Sequence, residues 1–180
     1  MSAMLTGFTL RLATDADFSA IRAFYNQLID DISVLPHHPM WDKDGHPSND
    51  YLRSAIAGNE LWIAEGEMGV AGAMIVNGAA NEGYNGIPWA VDAAPGEYVI
   101  VHAFGVATRM QGKGLGSAMM HAVIDRARAE GKKAIRLDLI DLNLPTGRMY
   151  TRLGFEKRAE VRLFYPEVKW QLFHMFEYVL

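Results

Sequence analysis

The sequence predicts a mixed α/β chain of the α+β kind: a single domain on a mostly antiparallel central sheet of about seven strands, with helices on both faces. Three observations lead there. The periodic segments run strand, helix, helix, strand, strand, strand, helix, strand, helix, strand, strand, an order that one helix-covered mixed sheet accommodates. The segment from Glu97 to Val106 is an almost unbroken apolar run, which needs cover on both faces and belongs in the middle of a sheet. The 180 residues, half of them hydrophobic, are one domain's worth of chain, and no repeat, low-complexity tract or linker divides residues 1–180.

Each element has its own signal. Phe8, Leu10 and Leu12 alternate with Thr9 and Arg11 as a half-buried strand, and the following Ala13-Thr14-Asp15 supplies a helix cap. From Asp17, the positions Phe18, Ile21, Phe24, Tyr25, Leu28, Ile29 and Ile32 recur every three or four residues, the buried face of a first helix. Pro36, Pro39, Gly45 and Pro47, with His37, His38, Trp41 and His46 among them, make a loop. Ser48 or Asn49 caps a short helix through Ile56 that Gly58-Asn59 ends. Leu61 to Glu65 and Val70 to Asn77 flank a short turn as an antiparallel hairpin, and glycines and prolines make Gly78 to Gly96 a long connection.

After the central strand, Ser117 to Glu130 carries Met119, Ala122, Val123 and Ala127 on one helical face, led by Leu115 and ended by Gly131. Ala134 to Leu139 is a buried strand. Asn143 to Leu153 is a helix with Pro145 in its first turn, Asn143 as a cap and Gly154 at its end. Phe155 to Leu163 and Gln171 to Val179 are the last strands.

The segment Gln111-Gly112-Lys113-Gly114-Leu115-Gly116-Ser117 joins the central strand to an amphipathic helix. Glycine permits positive φ and close backbone approach. Inward N–H groups and the positive end of the helix then make a cradle for a diphosphate, although a tight turn alone also needs glycine. A nucleoside-triphosphate loop is absent, because Ala107 stands five residues before Gly112 and Gly114 follows Lys113. The dinucleotide fingerprint fails too, since the glycines are spaced Gly-x-Gly-x-Gly.

What matches is Gln-x-x-Gly-x-Gly, at Gln111, Gly114 and Gly116, preceded by His102-Ala103-Phe104-Gly105-Val106. Downstream stand Asn143-Leu144-Pro145-Thr146 and Arg148-Met149-Tyr150-Thr151-Arg152-Leu153-Gly154-Phe155. On these motifs the sequence resembles the GNAT superfamily of N-acetyltransferases over essentially its whole length. The resemblance implies a GNAT-like domain with acetyl-CoA as cosubstrate. It implies that Gln111, Gly112, Lys113, Gly114, Gly116 and Ser117 hold the pyrophosphate, and that Phe104 and Val106, on a splayed strand, pair with the pantetheine arm that Asn143 also meets. A chain with no cysteine suits a cofactor that brings its own thiol.

Tyr150 lies seven residues after Asn143, two turns on and on the same face. A phenol there can donate to the sulfur of departing coenzyme A, and in the family the matching tyrosine is the general acid; the plainer reading is a packed aromatic. An amine acceptor must also lose a proton. His102 is the candidate base, with Glu97 second, although a histidine on a buried strand is more often a hydrogen-bonded core residue. Trp41, Tyr84 and Trp89, in the two loops, are candidate acceptor contacts.

The implied activity is acetyl transfer to a primary amine of a small molecule or peptide, directly, through a ternary complex. The alternative is a non-catalytic coenzyme A-binding regulatory module, which could dispense with Tyr150. Residues 1–100 hold 4 Lys and Arg against 13 Asp and Glu, and residues 101–180 hold 13 against 8, so the acidic first half suits a cationic acceptor and the basic second half an anion. The net charge of −4 and the absence of an apolar run of about 20 residues exclude a general nucleic-acid binder and a membrane span. Met1 to Leu5 reads as no leader, so the expected location is cytoplasmic. His37, His38 and His46, near Asp42 and Asp44, lack metal-ligand spacing, so no metal is expected. Trp170, Phe173, Met175, Phe176 and Tyr178 offer an apolar strand for a homodimer.

Overall fold

The computed structural model describes residues 3–5 and 7–180, so Met1 and Ser2 of the stretch read for a leader lie outside the described residues. The chain divides into two compact units, one of Met1–Leu35, Trp41–Val76 and His102–Ala122, the other of Pro36–Met40, Asn77–Val101 and Val123–Leu180.

The first unit is an antiparallel meander under two helices. β1 (Ala3–Leu5) pairs with β2 (Phe8–Leu12), β2 with β3 (Leu61–Gly66), and β3 with β4 (Gly69–Asn77), whose register runs from Leu61↔Ile75 to Gly66↔Gly69. A 3₁₀ turn at Asp15–Asp17, closed by Thr14 N–H donating to the Asp17 carboxylate at 2.8 Å, leads into α1 (Phe18–Ser33). The Ser48 hydroxyl accepts from Tyr51 N–H at 3.1 Å and starts α2 (Asn49–Ala57). Ile21, Phe24, Tyr25 and Leu28 of α1 and Leu52 and Ile56 of α2 share one core with Leu61, Ile63, Ala73 and Ile75. The opposite face of β4 meets α3 (Leu115–Ala129): a Cβ on Gly72 would stand 2.6 Å from Met119 Sδ. Helices thus cover both faces, as the apolar pattern predicts.

The second unit begins with β5 (Tyr98–Val106), which passes into the first unit after Val101. It continues with β6 (Ala134–Ile140), α4 (Leu144–Arg152), β7 (Glu156–Tyr165) and β8 (Lys169–Val179). β5 and β6 are parallel, while β8 runs antiparallel to both β6 and β7 and lies between them. This is the mixed, mostly antiparallel class expected, with eight strands among the described residues rather than about seven because of β1.

One expectation changes here. Phe173, Met175 and Phe176 are buried and Tyr178 packs on Phe155, with ring centroids 5.2 Å apart, so the strand offered for a homodimer is interior to its sheet. Of that set Trp170, beside Phe164, is the exposed aromatic. The connection Gly78 to Gly96 is also anchored. Ala90 N–H donates to Glu177 at 2.6 Å, and Arg136 donates to the Val91 carbonyl at 2.8 Å while lying 4.4 Å from the centroids of both Trp89 and Tyr98.

Candidate functional site

β5 changes character halfway. Tyr98 and Ile100 are buried at alternate positions, then Val101, Ala103 and Gly105, a one-residue shift of phase. Its register with β6 runs from Tyr98↔Ala134 to Ile100↔Arg136, whereas β6 stays paired with β8 through Ile140. At the change sits Ala103 with φ of 46°, left-handed backbone that costs a residue with a Cβ about 1–2 kcal/mol. Tyr25 holds it there: its hydroxyl donates to the Ala103 carbonyl at 2.7 Å, and burial pushes this phenol's pKa well up, so it stays a neutral donor. Phe104 and Val106 follow, both half-buried, on backbone beyond the β5–β6 ladder.

The glycine loop follows directly. Ala107 N–H donates to Ala71, and the Thr108 hydroxyl donates to the Asp31 carboxylate of α1, which that bond and Gln27 hold below its ordinary pKa. Gln111 donates to the Val106 carbonyl at 3.3 Å. Gly112 and Gly114 have φ of 74° and 86°, and a Cβ on either would meet nothing within 4 Å. Lys113 is exposed. The bond from Ala118 N–H to the Gly114 carbonyl, 2.9 Å, opens the ladder of α3. The N–H groups of Leu115, Gly116 and Ser117 therefore lie in the first turn, where a helix offers no partner. Two left-handed glycines with open space above them and a helix start fit a diphosphate.

In the second unit Asn143 holds the N-cap position of α4 but does not cap it, contrary to expectation. Pro145 has no N–H to offer, and the Asn143 side-chain oxygen instead accepts from the Thr146 hydroxyl at 2.8 Å. Its amide NH₂ is thus the group left to donate. Tyr150 is buried, with its ring 5.5 Å from Phe155 and 6.0 Å from Phe176. Burial first, and then the charge of Asp138, raise its pKa, so the phenol is protonated at neutral pH.

Asp138 was missed by the sequence reading. On β6, its Oδ2 accepts from the hydroxyls of Tyr84 at 2.9 Å and Tyr165 at 2.7 Å. A signal existed, since a carboxylate inside the apolar run Ile135 to Ile140 must find partners. Tyr84, proposed as an acceptor contact, is core: it is 3% exposed, and its carbonyl accepts from Trp89 Nε1 at 3.0 Å. Packing accounts for both aromatics. Trp41 is half-buried, 5.8 Å from the Tyr25 ring and 6.1 Å from His46, and a Cβ on Gly105 would come within 3.4 Å of it.

His102 is half-buried, immediately before Ala103. Glu97 is less suited to be a base, because Lys133 pairs with it at 2.7 Å and holds its carboxyl below the ordinary value. His38 accepts from Met40 N–H at 3.1 Å, and His46 stacks on Tyr51 at 5.5 Å. Among the described residues no three His, Cys, Asp or Glu side chains group as metal ligands, and no helix is long and apolar enough to cross a membrane.

Comparison with known proteins agrees with this geometry. The model of the acetyltransferase (GNAT) family matches residues 24–155. An L-methionine sulfoximine/L-methionine sulfone acetyltransferase of Salmonella typhimurium is 27% identical over 157 residues, 85% of this chain and 82% of that one. The fold is similar to a GNAT-family acetyltransferase from Streptococcus agalactiae, with a TM-score of 0.81, 16% identity and 98% of each chain covered. It is also similar to yncA of Salmonella typhimurium, solved with its cofactor acetyl-CoA, with a TM-score of 0.67, 23% identity and 97% and 95% covered. The family match spans most of the chain and includes both the glycine loop and the segment from Asn143 to Phe155: the protein belongs to the GNAT acetyltransferase family and is an acyltransferase.

Proposed function

We propose that the protein is an acetyl-CoA-dependent N-acetyltransferase acting on the primary amine of a small molecule, by direct transfer in a ternary complex. The observation that carries this reading is the glycine loop: two left-handed glycines in open space, between the diverging half of β5 and the start of α3. Acetyl-CoA brings the acetyl thioester. Gln111, Gly112, Lys113, Gly114, Gly116 and Ser117 hold its pyrophosphate through the loop and the first helical turn. The main chain of Phe104 and Val106 and the amide of Asn143 align the pantetheine.

With no cysteine in the chain, a thioester acyl-enzyme is unavailable, and the amine attacks the acetyl carbonyl carbon itself. His102 accepts the proton that the ammonium must lose. As the carbon–sulfur bond breaks, the Tyr150 phenol donates to the sulfur. Trp41 lines the acceptor side of the first unit. The acceptors named for the methionine sulfone relative are α-amino compounds, which makes an α-amino group the leading acceptor here.

The experiment compares wild type with Tyr150→Phe by release of coenzyme A thiol and by calorimetry with acetyl-CoA. Loss of one positioned proton donor lowers kcat about 10²-fold to 10⁴-fold, with acetyl-CoA affinity close to wild type. Wild-type turnover in the variant, where chemistry limits the rate, would return Tyr150 to packing alone. Acetyl-CoA binding without thiol release in wild type, whatever the acceptor, would favour the regulatory module.

A further inference from the structure

α1 carries two polar side chains that its packing does not explain. Arg22 and Asn26 lie one turn apart and flank Tyr25, whose hydroxyl holds the Ala103 carbonyl. Arg22 Nη1 donates to the Pro47 carbonyl at 2.6 Å, while its Nε and Nη2 are buried with no protein partner. The Oδ1 atom of Asn26 is buried and unpartnered as well. Among the described residues no carboxylate pairs with Arg22, and burial pushes its pKa down, the direction of a cation that lacks a counter-ion. Arg11 in the same unit is the opposite case, held by Asp17 and Glu65 at 2.8 Å each, which raise its pKa.

The unpaired edge of Arg22 has a shape. With Nη1 committed to Pro47, the atoms left are Nε and Nη2, a parallel two-donor fork that matches the two oxygens of a carboxylate. Its surroundings belong to the acceptor side as assigned above. The Tyr25 centroid is 5.9 Å from the guanidinium carbon, Trp41 packs on Tyr25 and beside Gly105, and His46 and Tyr51 continue the row of rings. An anion arriving there meets a desolvated cation one helical turn from the Tyr25 contact to β5.

We propose that Arg22 and Asn26 recognise the acceptor, and that the acceptor is therefore an α-amino acid rather than a simple amine or polyamine. Nε and Nη2 of Arg22 donate to the α-carboxylate, and Oδ1 of Asn26 accepts from the α-amino group. Both are specificity-determining residues, and the proposal rests on the acetyltransferase reading above.

The test is kinetic, by thiol release, on L-methionine sulfone and the proteinogenic amino acids, each against its decarboxylated amine. Wild type is expected to prefer the acids by about 10²-fold in kcat/KM, the discrimination that a charge-assisted fork supplies. In Arg22→Gln that ratio falls towards one, chiefly through KM for the acid, and Arg22→Lys recovers part of it. Both variants are expected to stay folded, with a melting temperature close to wild type, because the lost bond to the Pro47 carbonyl is offset by the relief of two unpaired buried nitrogens. Amines acetylated as well as the acids, or an unchanged ratio in folded Arg22→Gln, would overturn this assignment while leaving the acetyltransferase reading intact. Loss of the fold in both Arg22 variants would mark Arg22 as structural and overturn it too. Acetyl-CoA bound but no member of the panel acetylated would overturn the acceptor reading itself.

Discussion

Arg136 and Arg22 are two arginines drawn away from water, and their surroundings differ. Arg136, 4% exposed, donates from Nε to Glu177 at 3.1 Å and to the Val91 carbonyl, and lies against the rings of Trp89 and Tyr98. Glu177, fully buried, also receives Ala90 N–H and stands 3.3 Å from Arg158. Around Arg22, among the described residues, one carbonyl accepts and the Tyr25 ring lies 5.9 Å away, while two buried nitrogens are left over. Buried donors with acceptors are structure: those of Arg136 pin the segment Gly78 to Gly96 to its sheet. Buried donors without acceptors point to a site, because burying them is destabilising unless a ligand completes them. The two irregular segments that look alike in composition are separated by this accounting.

The comparison breaks most readily at Glu177. Glu177→Gln leaves Arg136 and Arg158 facing a neutral partner in a buried cluster, and such a change is expected to cost about 3–5 kcal/mol in urea unfolding. A loss below about 1 kcal/mol would mean that the Arg136 cluster ties down little, and the contrast with Arg22 would collapse.

A smaller effect sharpens the comparison from the side of the paired surface arginine. Arg11 holds the Asp17 carboxyl well below the usual carboxylate range, helped by Thr14. A folded-state pKa below the unfolded one contributes stability that is present above about pH 4 and is lost as pH falls through the folded value. Asp17→Asn should therefore lower the melting temperature at pH 7 and flatten its fall below pH 4. Parallel acid limbs for the variant and wild type would show that this pair does not control that limb. No acid limb of this kind is expected from Arg22, which has no carboxylate to titrate.

Much of this was legible in the residues. Three- and four-residue spacing located α1 and α3, because a buried helical face must repeat that way. The glycines at 112 and 114 marked the loop, since left-handed backbone next to a helix start leaves little choice of residue. β1 left no trace, as three residues carry no period. β8 looked like a surface because an apolar strand reads the same whether it faces a partner chain or its own sheet; pairing with both β6 and β7 settled it. The Asn143 cap failed on a detail of position, Pro145 removing one of the two N–H groups a cap can use and the Thr146 hydroxyl taking the side-chain oxygen. Arg136 and Asp138 within β6 could have been flagged, since charges in a buried strand require partners. Arg22 could not: one basic residue on an amphipathic helix reads as solvated, and three-dimensional packing is what shows its nitrogens to be covered and unmatched.

The most direct measurement is mass spectrometry of the acceptor after incubation with acetyl-CoA and the purified protein, run beside thiol release. The account predicts an N-acetylated α-amino acid formed mole for mole with free coenzyme A, and only background thiol when the acceptor is omitted. Acetyl-CoA binding accompanied by thiol release that no acceptor accelerates, with no acetylated amine in the spectrum, would contradict it.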